Sequence, residues 1–515
     1  MPEKRLKELY NGISRQQRIC FFAAVIFGFI THFYKITNWL PNWDSLVFRY
    51  DAQNMLPLGR WFLSFACAAS SFYDLPWVNG VLSILFHSLG AVCICRIFDI
   101  KKGITAALIG AITVTIPTVA SVMMYNYVAD GYALAFLFSC MAAMFLTAEK
   151  PKYFLSVILF MLSIAVYQAY ISVAVVLVLI YLIDGIVFKR DSAKVSLKKG
   201  SKCAVCGIAG FLLYYTVTEI LLKISQTTLL DYQYFGRTMS FSEINIPASL
   251  YEVKEIMIRY FFDFSNGFNL FSVLNIIILM VAAALLLLGA AKNGVFGKMS
   301  KTVLLAVYVL LLPIGMNILV FATPSLDYHN LMKMGYCVIY IFFVILYERI
   351  EFSAENAAVL KSWVILIAAS VFIFNNIIIA NVSYHKLQIS YEKSYGTLIR
   401  IADRIEQTAG AENCDKILVI GALSGSEAYS ADLPPDMTGT TDGYILRFDD
   451  ESVGQSVLCS ALNDYCGKNY KFLAGAEKRK LMKNTVISAM DYWPGENAVA
   501  VADGTVVIKL GAERE

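Results

Sequence analysis

Between Trp39 and Trp61 the chain crowds opposite charges among aromatic side chains: Trp39-Leu-Pro-Asn-Trp43-Asp44-Ser-Leu-Val-Phe-Arg49-Tyr50-Asp51, then Gly59-Arg60-Trp61. Carboxylates beside an apolar surface are costly unless solvated or paired, and Arg49 and Arg60 are at hand as partners for Asp44 and Asp51. An interfacial aromatic belt accounts for the tryptophans, since Trp39, Trp43, Trp61 and Trp77, four of the six in the chain, lie in or just beyond this stretch. It does not account for the acids. A carboxylate that can accept the proton of an attacking hydroxyl, next to cations that stabilise a departing phosphate, is what sugar transfer from a lipid phosphate requires. The competing reading is an interfacial salt-bridge cluster, and the residues alone do not choose between Asp44 and Asp51 as the base.

Three further polar groups fall where the same cavity would be lined: Tyr125, Asn126, Tyr127 and Asp130; Tyr167, Gln168 and Tyr170; and Asp327-Tyr328-His329-Asn330 with Lys333. Helix capping is the plainer role for each, and their common side of the membrane is what groups them. His329 and Lys333 are four apart and share a face if the segment is helical, so both could approach a phosphate. The candidate phosphate contacts are therefore Arg49, Arg60, His329, Lys333 and Arg237. The candidate substrate contacts are Trp43, Trp61, Tyr127, Asp130, Tyr167, Gln168 and Tyr328. Tyr251-Glu-Val-Lys-Glu-Ile-Met-Ile-Arg-Tyr260-Phe-Phe is amphipathic and suited to the interface, either gating a lipid tail or covering the bundle.

The elements that must hold these residues follow from composition. Of 515 residues 58% are hydrophobic and 16% charged, with a mean hydropathy of +0.60, which is too apolar for a soluble chain of this length. A net charge of +4 gives no argument for nucleic acid. A crossing helix needs roughly 20 apolar residues, which predicts about eleven spans near 19–37, 76–97, 103–123, 128–148, 153–168, 170–188, 203–224, 269–291, 302–322, 331–348 and 360–381. The first run lacks a small-residue cleavage site and reads as a retained span. The run from Tyr153 to Phe188 is split at Tyr167-Gln168-Ala169, which leaves Lys150 with Lys152 and Lys189 with Arg190 on one side of the membrane. Lys4, Arg5, Lys7, Arg15 and Arg18, and later Lys189 to Lys202, mark the cytoplasmic face. Loops 38–75 and 225–268 are then outside, as is everything after Asn381. The expected organisation is a cytoplasmic segment 1–18, a membrane domain 19–381 and an extracytoplasmic domain 382–515.

From about Ser383 a charged helix (Glu392, Lys393, Arg400, Asp403, Arg404, Glu406) leads into Lys416-Ile-Leu-Val-Ile-Gly-Ala and later Thr505-Val-Val-Ile-Lys-Leu, the pattern of a small α/β domain. The glycine after the first strand, Gly421, is read as a structural turn. Eight of the eleven cysteines lie in or beside apolar runs as small hydrophobes. Cys459 and Cys466 are near enough to bridge, leaving Cys414 over. The four histidines, His32, His87, His329 and His385, show no zinc spacing. No cofactor is expected, although a divalent cation held by Asp44, Asp51 and a lipid phosphate is compatible with the sequence.

The acid-bearing loop ending in Gly59-Arg60-Trp61, the stretch Tyr-Asn-Tyr-Val-Ala-Asp-Gly-Tyr-Ala-Leu-Ala-Phe-Leu from Tyr125 to Leu137, the Tyr167-Gln168 turn and the late charged helix leading into Ile417-Leu-Val-Ile-Gly resemble the serotype-converting glucosyltransferase family. The resemblance spans most of the membrane region and the start of the tail. It implies a polytopic helical GT-C-like bundle with its active site at the outer face of a bacterial cell (inner) membrane. It also implies an undecaprenyl-phosphate-linked sugar donor, a surface polysaccharide or glycolipid acceptor, and inversion at the anomeric carbon. A polyprenyl-phosphate sugar synthase and a flippase would act upstream. The base that such enzymes carry in the first outside loop falls on Asp44, with Asp51 second.

Two other classes compete. A transporter or flippase of a lipid-linked saccharide would place ionisable groups at mid-membrane beside interrupted helices; His87 and Glu219 are its main residues, and Glu219 lies within a turn of Lys223. A scaffold protein would explain the tail but not the acidic, arginine-bearing loop.

Overall fold

The computed structural model describes residues 2–230, 245–265, 267–322, 328–351, 355–423, 433, 437–447 and 454–512. The chain folds as two units: Met1–Thr37 with Asp51–Asn381 and Leu433–Met437, and Asn38–Tyr50 with Val382–Asp432 and Thr438–Glu515.

The first unit is helical. Among the described residues nine helices of the chain are long and apolar enough to cross a membrane: Arg15–Thr37, Pro76–Ile97, Gly103–Met124, Asn126–Thr147, Gln168–Val187, Ala193–Ile224, Leu270–Lys292, Met299–Met316 and Ala358–Gln407. A chain built this way is a membrane protein, because a helix satisfies its own amides where lipid offers no partners. Two of the eleven expected segments form shorter helices, Tyr153–Val166 with 14 residues and Met334–Arg349 with 16. At about 1.5 Å per residue neither reaches the roughly 30 Å of a hydrocarbon core. The first stops because Tyr167 is extended (φ −155°, ψ 116°), and a single 3-10 turn, Gln168–Tyr170, leads into Ile171–Val187. The second is buried at every residue but its last, which makes it the centre of the bundle.

The span Gly103–Met124 is interrupted. Pro117 lacks an amide hydrogen and pushes Ile116 out of the helical region (φ −53°, ψ 139°), so the chain restarts as Pro117–Met124. His32 reaches across from Arg15–Thr37, its Nε2 2.8 Å from the carbonyl oxygen of Val114 beside the break. The two helices approach closely at Gly110, where a Cβ would lie 2.3 Å from the carbonyl oxygen of Cys20. Elsewhere the fully buried Asp184 binds Arg349 (Nε–Oδ1 2.7 Å) and Lys189 (Nζ–Oδ2 3.4 Å), tying Ile171–Val187 to the central helix.

The second unit is α/β. Its sheet has the order β2-β1-β4-β3, formed by Lys416–Ile420 (β1), Lys471–Phe472 (β2), Val499–Ala502 (β3) and Thr505–Lys509 (β4). β1 runs parallel to β2 and β4, while β3 and β4 form an antiparallel hairpin. Asp503 (φ 47°) and Gly504 (φ 69°) make its two-residue turn, where both positions need positive φ. Alternation puts Ile417 and Val419 on one face of the sheet and Leu418 and Ile420 on the other, and both faces are covered. The first face packs on the charged helix through Leu398, Ile401 and Ile405, and on Leu46 from the first loop. The helix Glu355–Gln407 is continuous from the apolar span into this charged stretch. Cys459 carries a free thiol that donates to the carbonyl of Tyr470 at 3.2 Å, so it is not bridged; the Cys466 side chain lies outside the described residues.

Candidate active site

The best-formed polar site in the first unit grows from Gly59-Arg60-Trp61. A short 3-10 turn, Leu56–Leu58, ends on Gly59 in the left-handed region (φ 71°), and Met55 pairs with Arg60 across it. Glycine is required there twice over, for its φ and because a Cβ would lie 2.4 Å from the Tyr214 hydroxyl. Tyr214 donates to the carbonyl of Gly59 at 3.0 Å, and Gln168 donates through Nε2 to the carbonyl of Leu58 at 2.8 Å. Gln168 Nε2 also lies 3.3 Å from the Tyr214 hydroxyl. Trp61 Nε1 donates to Thr218 at 3.1 Å, one turn along the same helix as Tyr214, and Phe62 N donates to the carbonyl of Ala165 at 3.0 Å.

These bonds fix the Arg60 guanidinium. Its Nε donates to Gln168 Oε1 and its Nη1 to the Tyr132 hydroxyl, both at 3.3 Å, and its Cζ lies 4.7 Å from the Tyr167 ring centroid. Tyr132 and Tyr167 stack at 4.2 Å with an interplanar angle of 6°. Half-buried Arg60 is thus held against an amide, a phenol and an aromatic face, which orient its guanidinium. Arg60, Trp61, Tyr167 and Gln168, all expected site residues, come together. Tyr132 and Tyr214 were not singled out from the sequence. Tyr132 lies in the Tyr125 to Leu137 stretch, while Tyr214 sits in an apolar run with no local signal.

Other expected residues are placed differently. Asp130 is fully buried, its Oδ1 accepting from Asn79 Nδ2 at 3.1 Å, so it anchors Asn126–Thr147 to Pro76–Ile97 rather than facing solvent. Tyr127, one turn earlier, is buried as well, and Asn126 donates to Asp74 at 2.5 Å. Tyr328 spends its hydroxyl on the carbonyls of Met316 (2.9 Å) and Met332 (3.2 Å). His329 and Lys333 do not share a helical face: His329 is extended, Asn330–Met332 is one 3-10 turn, and Lys333 closes it. At three residues per turn a four-residue step lands about a third of a turn off. Lys333 is buried with its Nζ 5.5 Å from the Tyr260 ring centroid. Tyr260 belongs to the amphipathic helix Ile246–Phe261, which buries Ser249, Val253, Ile256 and Tyr260 along one face. Arg237 lies outside the described residues.

The first loop is divided. Asp51, in the first unit, accepts from Gln53 N through Oδ1 at 2.6 Å and donates its own amide to Phe72, a turn-forming role for one of its oxygens. Trp43, Asp44 and Arg49 belong to the second unit. There Asn42 caps the helix Trp43–Val47, with Asp44 half-buried in its first turn. Trp43 N donates to the carbonyl of Asp442 at 2.9 Å. Arg49 pairs with Asp464 at 3.0 Å and lies 4.9 Å from the Trp39 ring centroid, so its charge is engaged within that unit. Among the described residues no three His, Cys, Asp or Glu side chains converge as a metal site.

Residues 33–347 match the model of the family described as Glucosyl transferase GtrII, a match that covers the Arg60 cluster and the apolar spans from Pro76–Ile97 to Met299–Met316. The chain belongs to the glucosyl transferase GtrII family. No curated protein and no solved structure matches it. Membership supports glycosyltransferase activity, and specifically glucosyl transfer, in a membrane protein. The elements carrying Asp44, Asp51, Arg60 and the Tyr167-Gln168 turn all lie within the GtrII match, whereas the sheet of the second unit lies beyond it.

Proposed function

We propose that the protein transfers glucose from a polyprenyl-phosphate carrier to a cell-surface polysaccharide or glycolipid at the outer face of the bacterial inner membrane. The observation that carries this reading is the Arg60 guanidinium, fixed by Gln168, Tyr132 and the Tyr167 ring within a family of glucosyltransferases. Asp51, which lies in the same unit as Arg60, accepts the proton of the acceptor hydroxyl as that oxygen attacks the anomeric carbon. The bond from that carbon to the phosphate oxygen breaks, and polyprenyl phosphate leaves with the electron pair. Arg60 stabilises the charge that develops on the phosphate. A single displacement inverts the anomeric carbon. The basic residues before the first span support a cytoplasmic N-terminus and, with it, an extracytoplasmic second unit.

The test uses purified full-length protein in liposomes with radiolabelled polyprenyl-phosphate glucose. Label moving to a glycan acceptor without any nucleotide sugar supports the reading; transfer from a nucleotide sugar alone contradicts it.

A second reading, a transporter or flippase of a lipid-linked saccharide, draws on the interrupted span at Pro117 with His32 beside the break. His87 adds little, since its Nδ1 lies 2.9 Å from the carbonyl of Ser83 in its own helix. Counterflow of substrate without glycosidic product would favour it.

A further inference from the structure

Where the chain turns from the helix Pro2–Asn11 into Arg15–Thr37, Ser14 and Gln17 cap each other: Gln17 N donates to Ser14 Oγ at 3.2 Å, and Ser14 N donates to Gln17 Oε1 at 2.9 Å. Gln16 ties this turn to the segment before Gly103–Thr115, its Nε2 donating to the carbonyl of Lys101 at 2.6 Å. Beside the turn, within the first unit, lies a cavity of about 650 Å³ that is lined by Arg5 from the first helix, Gln17 from the second and Arg96 from the end of Pro76–Ile97.

The rest of its wall is mostly apolar. Leu89, Val92 and Arg96 follow one another along one face of Pro76–Ile97, at helical spacing, and Leu137, Met141 and Met144 do the same on Asn126–Thr147. From Leu89 to Arg96 the rise is about 10 Å. Leu89 is exposed, and Val92, Met141 and Met144 are half-buried, so the trough is open along the side of the bundle.

Its polar end carries uncompensated positive charge. Among the described residues Arg5 and Arg96 make no ion pair with a carboxylate, and both are exposed. Gln17 has spent its Oε1 on the cap, and among the described residues its Nε2 makes no hydrogen bond. Two guanidiniums and an amide donor at the mouth of an apolar trough match a molecule with a phosphate anion at one end and hydrocarbon at the other. A free phosphate would use the donors alone, and an acidic peptide would leave the apolar wall unmatched. A basic pocket between spanning helices, at the end of the bundle where a membrane surface falls, is a site for an anionic headgroup.

We propose that the cavity holds an anionic phospholipid of the leaflet at the basic, N-terminal end of the bundle. Its phosphate is bound by Arg5, Arg96 and Gln17, and an acyl chain lies along Leu89, Val92, Met141 and Met144. The lipid thereby fastens the helix Pro2–Asn11 to the membrane unit. The proposal is independent of the sugar-transfer reading.

The experiment titrates purified full-length protein in detergent with phosphatidylglycerol or with phosphatidylcholine and reads occupancy by native mass spectrometry. Wild type binds phosphatidylglycerol more tightly, and Arg5→Gln and Arg96→Gln each weaken that binding about fivefold. A charge-matched control, Lys4→Gln with Lys7→Gln, alters exposed residues of the same helix that lie outside the lining, and it leaves the affinity unchanged. Equal affinities of wild type for the two lipids would overturn the proposal. So would an equal loss in the lysine control, which marks diffuse surface charge, and so would displacement of the lipid by inorganic phosphate, which marks a free-anion site. Arg5 stands on the terminal helix, so an unchanged affinity in Arg5→Gln overturns the proposal even where Arg96→Gln does not fold.

Discussion

The Arg60 guanidinium lies 4.7 Å from the ring centroid of Tyr167, 107 positions later in the chain, and that ring is stacked on Tyr132. The contact joins the first loop to the break between Tyr153–Val166 and Ile171–Val187, because Tyr167 is the extended residue at which the first helix stops. An interrupted helix thereby presents an aromatic face and an amide to a cation.

Arg60→Lys keeps the charge but loses the planar fork and the stacked face. Sugar transfer should fall about 10- to 100-fold, the worth of one charge-assisted hydrogen bond, with an unchanged elution profile in detergent. Initial rates at saturating acceptor read the effect, and wild-type rates would show that a point charge is sufficient.

Gly59→Ala forces a Cβ into a left-handed position 2.4 Å from the Tyr214 hydroxyl. The expected cost is about 1–3 kcal/mol of stability, visible as a lower thermal midpoint. Tyr214→Phe removes the clashing oxygen, so the double variant should lose less than the sum of the two single losses. Strict additivity would place the strain elsewhere.

Asp184 is fully buried between Arg349 and Lys189, whose side chains are 16% and 40% exposed. Asp184→Asn leaves a mostly buried guanidinium without its counter-charge and should cost about 3 kcal/mol. Lys189→Ala, at the exposed end, should cost under about 1 kcal/mol. Denaturation in mixed micelles ranks the two, and a larger loss for Lys189 would reverse the assignment.

The apolar spans were legible because hydropathy is a local property, and the split at Tyr167-Gln168-Ala169 falls where the helix breaks. The gathering of Arg60, Trp61, Tyr167 and Gln168 was legible only as a shared side of the membrane. Tyr214, which fixes the loop, left no trace among its apolar neighbours. The division of the first loop was not legible at all. Leu46 joins the core of the second unit, and Trp43 bonds to Asp442 nearly 400 positions away; such pairing has no signature within either segment. The spacing of His329 and Lys333 misled because it presumes 3.6 residues per turn where the chain takes a 3-10 turn.

Burial pushes the Cys459 thiol above its ordinary value. The folded chain then stays protonated where the unfolded one ionises. Stability is fully present below the ordinary thiol range, about 8.5, and falls as pH rises from there toward the raised folded value. Cys459→Ser should flatten that decline, and its alkylation should be slow until the chain unfolds. Rapid native-state labelling at neutral pH would contradict the burial.

The central claim is a carboxylate base working with a fixed cation on a lipid-borne phosphate. It is tested most directly by measuring glucose transfer from polyprenyl-phosphate glucose in liposomes containing Asp44→Asn, Asp51→Asn or the unaltered protein, with donor binding measured in parallel. Of the two variants, Asp51→Asn should lose transfer by about 100- to 10,000-fold while still binding the donor. Full transfer by Asp51→Asn would contradict the account.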